Sequence, residues 1–215
     1  MMRRVAHRSL LSIAIVLVIT GCRPNVETVV DVPTAVWSST GERSNSPESA
    51  ALAAIDELLG ITPIISDYMA GDNRSGEVTV FSPGDGAWKV RSTLFLRQME
   101  VDDRWSVLGA VGPGVVIDEP ASGSTHAPGW LTISGRARGY EGTVVISAHT
   151  AGDDPVLVDQ VIVSAGSMSD IEPFSARVDL RDTSKGDVIA IVVRGDTGLE
   201  DDPGEFSAIP IRIGF

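Results

Sequence analysis

Cysteine is almost missing from this chain: one in 215 residues, Cys22. No internal disulfide can form, so packing alone must hold the fold. Basic side chains are scarce, 17 Lys and Arg against 29 Asp and Glu, which gives a formal charge of −12. Nucleic acid and anionic lipid surfaces reward clustered cations and are poor partners for such a chain. Aromatics make up 5% of the residues, whereas Gly and Pro number 22 and 12. That mix favours strands joined by many turns over a helical bundle. Histidine is rare as well. Beyond residue 21 only His126 and His149 occur, and neither has the spacing of a zinc site. No serine sits in a Gly-x-Ser-x-Gly elbow, and no glycine loop is built for phosphate. The pattern calls for no cofactor and no enzyme.

Long apolar runs are also missing, with one exception at the start. Arg3, Arg4 and Arg8 precede the stretch Leu10–Ile19, which is apolar except for Ser12. That stretch is shorter than the ~20 residues a spanning helix needs and fits a secretory signal. Thr20 and Gly21 are small and are followed at once by Cys22. Ile19-Thr20-Gly21-Cys22 resembles the bacterial lipobox, with Ile19 in place of the commoner Leu. The resemblance implies cleavage between Gly21 and Cys22 and diacylation of the Cys22 thiol. The alternatives are an ordinary secretory signal followed by an incidental cysteine, or an uncleaved signal anchor. One cysteine in an exported chain fits an acylated residue better than a free thiol. Residues 1–21 would then be a lipoprotein signal peptide. Without them the charge moves to −15, with 14 basic residues (17 − 3) against 29 acidic. Two acyl chains meet the requirement for stable membrane anchoring.

Residues 22–45 have no sustained periodicity, and 38–47 are polar and turn-rich. They read as a flexible tether. Val29, Val30, Val32, Val36 and Trp37 leave a second reading open, a short strand or a docked segment. Residues 46–112 read as a small α+β domain. Ser46 can cap a helix, Pro47 suits its first position, and Gly60 can end it. Leu52, Ile55 and Leu59 would face a core with Ala51 and Leu58. A three-stranded meander follows and adds Val80, Leu94, Leu96 and Val107. The helix followed by a sheet ending in a Trp-x-Val strand is similar in part to nuclear-transport-factor-like cone folds, though too short for the full cone. Trp88 and Trp105 could line a ligand pocket in this domain or simply fill its core.

After Gly112-Pro113-Gly114, read as a linker, short strands recur at regular spacing over residues 113–215. Seven are expected: 115–118, 131–137, 143–150, 156–163, 173–180, 188–194 and 205–213. Phe174, Ala176, Val178 and Leu180 share one face, as do Val144, Ile146 and Ala148. Val188 to Val193 is almost continuously apolar, as expected of a central strand. The chain is therefore expected to be mainly β. A small α+β domain would precede an immunoglobulin-like antiparallel β-sandwich of about seven strands.

Ile117-Asp118-Glu119-Pro120, Leu131 to Ala137, Tyr140-Glu141-Gly142-Thr143-Val144, Pro173-Phe174-Ser175-Ala176 and Ile209-Pro210-Ile211 follow one order. In that order they resemble the immunoglobulin-like domain of bacterial spore germination and sporulation proteins. The resemblance implies a binding or scaffolding module of envelope lipoproteins, with no catalytic residues to carry over. One acidic loop invites a calcium reading: Asp196, Glu200, Asp201, Asp202 and Glu205 offer several carboxylates. It lacks EF-hand spacing, and a solvated hairpin is the alternative. The expected function is a lipid-anchored, extracytoplasmic binding module, bound to the cell membrane by its anchor. It would dock an envelope protein or a cell-wall component through a strand edge or end loops. The second reading is small-ligand binding between Trp88 and Trp105.

Overall fold

The computed structural model describes residues 34–84, 87–99, 102–167 and 169–214. The signal and lipidation expectations, including Gly21 and Cys22, lie outside the described residues. Helix α1 (Pro47–Leu59) begins as its caps dictate: Ser46 Oγ accepts the Ser49 amide at 3.1 Å, and Gly60 closes the helix at φ 68°. Strands follow as β1 (Ile64–Ile65), β2 (Met69–Ala70), β3 (Ser75–Pro83), β4 (Trp88–Gln98) and β5 (Trp105–Val111). Then come β6 (Val115–Glu119), β7 (Thr125–His126), β8 (Trp130–Gly139), β9 (Thr143–Thr150) and β10 (Leu157–Ser164). The last are β11 (Gly166–Ser167), β12 (Glu172–Asp179), β13 (Val188–Gly195) and β14 (Phe206–Ile213). The chain is mainly β, with one small helical part.

Among the described residues these strands form two sheets. The larger runs β1-β3-β4-β5-β14-β13-β9-β10, and the smaller joins β6, β8, β12 and β11. Within residues 115–213 the first, second and fifth long strands pair in one sheet, and the third, fourth, sixth and seventh in the other. That is the pairing of an immunoglobulin-type sandwich. All seven expected strands are present.

The halves expected as separate domains share one sheet. Ala208 of β14 pairs with Ala110 of β5, and the described residues form one compact unit. β13 explains how. Its odd residues Ile189, Ile191 and Val193 fill the sandwich core, while Ala190 and Val192 join the core under α1. A strand buried on both faces must be apolar throughout, which accounts for the unbroken run. Gly112-Pro113-Gly114 is accordingly a pinned turn rather than a linker. Ser207 Oγ accepts the Gly112 amide at 3.0 Å and donates to the Val115 carbonyl at 2.6 Å. A Cβ at Gly112 would lie 2.6 Å from the Phe206 carbonyl oxygen, so the turn has no room for a side chain.

The helix meets the sheet through alanines. Ala50, Ala51, Ala53, Ala54 and Ile55 are buried, whereas Leu52 is 38% exposed and Leu58 and Leu59 are half-buried. Small side chains let the helix lie close to β4 and β5, and Leu52 falls outside the contact stripe, contrary to expectation.

The expected tether is also shorter than 22–45. Val36 and Trp37 are fully buried. Trp37 exchanges backbone hydrogen bonds with Val107 of β5, at 3.2 and 3.0 Å. The cause lies in β5, whose edge would otherwise be open there, because β14 pairs with it at Ala110. The Trp37 indole donates to Glu57 on α1, whose carboxylate also meets Arg43. Further on, Thr40 donates its amide and its hydroxyl to Asp153 at 3.2 and 3.0 Å. Residues 34–45 are thus part of the folded body.

Candidate functional site

The two tryptophans proposed for a pocket do not meet. Trp88 opens β4 and is 60% exposed. Trp105 pairs with Gln98 at the other end of that strand, about 33 Å away along it. Trp105 is half-buried, with its ring edge-on to Tyr68 at 5.2 Å. No shared pocket can form between them, because the strand holds them apart.

The acidic loop between β13 and β14 also departs from expectation. Asp202 is 6% exposed and accepts from Arg91 of β4 and, at 3.2 Å, from the Ser82 hydroxyl of β3. Arg91 Nε in turn donates to Ser82 Oγ at 2.6 Å. Glu205 receives Arg138 of β8 bidentately, at 2.8 and 2.7 Å, and this bonding raises the Arg138 pKa. Asp196 and Asp202 each also cap a turn, accepting the amides of Gly198 and Gly204. Glu200 and Asp201 are exposed. Among the described residues no three carboxylate, histidine or cysteine side chains form a metal-sized group. The calcium reading fails here because Asp202 and Glu205 are already committed to arginines.

These two pairs flank an open cleft of about 620 Å³, also lined by Lys89, Tyr140, Thr197 and Leu199. Its charges largely cancel. The pairs tie β4 and β8 to the loop that precedes β14, which is a structural task. His149 lies on β9, buried and bonded to Ser147 Oγ at 2.9 Å, and burial pushes its pKa below the ordinary value. His126 meets Ser124 Oγ at 2.8 Å. The two histidines do not form a site.

A different surface brings recognition chemistry together. On β8 the inward residues are Ile133, Gly135 and Ala137, with Leu131 half-buried against the sandwich core. Strand alternation then sends Trp130, Thr132, Ser134 and Arg136 outward. Their partners on β12 are Asp179, Arg177, Ser175 and Pro173, in that order. Trp130 is 53% exposed, and the guanidinium carbons of Arg177 and Arg181 lie 5.1 and 5.3 Å from its ring centre. Such stacking is attractive and holds long side chains in place. Arg181 is also bonded to Asp179 at 2.9 Å, which holds the Asp179 carboxyl below its usual range. Arg136 lies 3.8 Å from Asp118. Among the described residues Arg177 has no carboxylate partner.

Sequence reasoning missed this face, yet its signal was present. A tryptophan stands on the polar side of an alternating strand, in phase with Thr132, Ser134 and Arg136. No family model matches this chain, and no curated protein or solved structure does so either.

Proposed function

We propose that this chain is a lipid-anchored, extracytoplasmic envelope protein that acts as a non-catalytic binding module. Its contact surface is the outer face of the β6–β8–β12 sheet. The observation that carries this reading is Trp130, half exposed beneath two guanidiniums on the outer sheet face. An exposed aromatic beside arginines has the composition of an interaction hot spot. The lipobox-like Ile19-Thr20-Gly21-Cys22 supports the anchor. The motif order that resembles the germination-type domain supports a binding role for residues 113–215.

The test is in-cell cross-linking of the full-length protein beside Cys22→Ala, Trp130→Ala and Arg177→Ala. Palmitate labelling and membrane retention should vanish in Cys22→Ala. Partner capture should fall in the other two at unchanged protein level. Capture that ignores both face substitutions overturns the assignment of the surface.

A further inference from the structure

Deepening the binding role, we infer that the ligand of the Trp130 face is an acidic polysaccharide, a glycan chain carrying carboxylates; this rests on the reading that the face is the contact surface. The chemistry of the face selects it. Along β8, Trp130 to Arg136 marks a track of about 20 Å, long enough for several sugar rings. Between the indole and Arg136 stand Thr132 and Ser134, with Ser175 beside them on β12. Hydroxyls donate and accept together, which matches a ligand that is itself hydroxylated. The indole at the end of the track is stacked with Arg177 and Arg181 and aims their donors along it. A protein partner would need an apolar, dehydrated centre. Here the centre is hydroxyl-bearing, and the aromatic stands at one end.

Arg177 sets the sign of the ligand. The chain as a whole carries −12, so it repels polyanions over most of its surface. This face is balanced instead: Arg136, Arg177 and Arg181 project from it against Asp118, Glu119 and Asp179, with Glu119 opposite Ser134. Two arginines are matched, and Arg177 keeps its planar fork for an incoming carboxylate, a geometry arginine serves bidentately. Trp130 holds that fork in place before the ligand arrives, which lowers the ordering cost of binding.

The experiment uses the full-length chain in detergent, titrated by calorimetry with polygalacturonate, dextran and polyglutamate. Binding to polygalacturonate alone is expected, weakening as salt rises. Trp130→Ala and Arg177→Gln should each reduce that affinity about tenfold, or 1.4 kcal/mol, with the melting temperature unchanged. Equal binding to polyglutamate would overturn the inference, because the face would then read charge without sugar. So would equal binding to dextran, no binding to polygalacturonate, or affinity unchanged in both variants. Cellular cross-linking separates the two levels. If capture depends on Trp130 while polygalacturonate fails to bind, the glycan is wrong and the contact surface stands. If capture ignores Trp130, the surface itself is wrong.

Discussion

Two groups of arginine among the described residues are used in opposite ways. At the end of the sandwich, Arg91 and Arg138 are paired with Asp202 and Glu205 beside the cleft, with Arg91 and both carboxylates mostly buried and Arg138 about a quarter exposed. On the outer sheet face, Arg177 and Arg181 stand exposed over an indole, and Arg177 has no counter-ion among the described residues. The same side chain serves as a tie in one place and as a displayed donor in the other. Burial makes the difference. A buried cation must be matched, because stripping its water costs several kcal/mol. An exposed one keeps its water and can exchange it for a ligand.

That contrast sets an order of effects. Asp202→Ala leaves Arg91 buried without its carboxylate and should destabilise the protein by about 3 kcal/mol. In a chain of this size the melting temperature would drop by about 10 °C. Arg138→Ala removes a bidentate pair of which the arginine is about a quarter exposed, and should cost about 2 kcal/mol. A smaller effect comes from His149, which is buried with Ser147 as its hydrogen-bond partner. Its folded pKa lies below the ordinary 6.5, so the native state binds fewer protons than the unfolded one. Its share of stability is full above that value and is lost as pH falls below it. Melting curves from pH 7.5 to 5.5 should show the loss, and His149→Gln should flatten it. Arg177→Ala should change stability least, within about 0.5 kcal/mol. A drop for Arg177→Ala as large as that for Asp202→Ala would break the comparison.

Local signals made much of the fold legible. Ser46, Pro47 and Gly60 gave both helix ends, and alternation gave the sandwich strands to within one or two residues. Long-range pairing was not legible. Nothing near Ala110 or Ala208 says that they meet, so the sequence alone suggests two domains where there is one shared sheet. The clue was Val188 to Val193, whose unbroken apolar run requires cover on both faces. The acidic loop misled for a related reason. Local sequence shows carboxylates, and the arginines that neutralise them lie 111 and 67 residues away in sequence. Trp37 follows the second reading open to its segment, a docked strand, and the sequence does not decide for it because the β5 edge it fills is formed far along the chain. Trp130 could have been found, since alternation alone puts it outside.

Shared cores also bear on how the protein can be dissected. Residues 113–215 supply Ala190, Val192, Phe206 and Ala208 to the core beneath α1. A fragment of residues 46–112 should therefore fail to fold, as circular dichroism would show, and point substitutions are the cleaner probe of the sandwich face.

The most direct measurement compares Asp202→Asn and Arg177→Ala side by side for melting temperature and for in-cell partner capture. The account expects Asp202→Asn to melt lower, and Arg177→Ala to melt normally while losing its partner. Arg177→Ala with full capture, or with the lower melting temperature of the two, would contradict it.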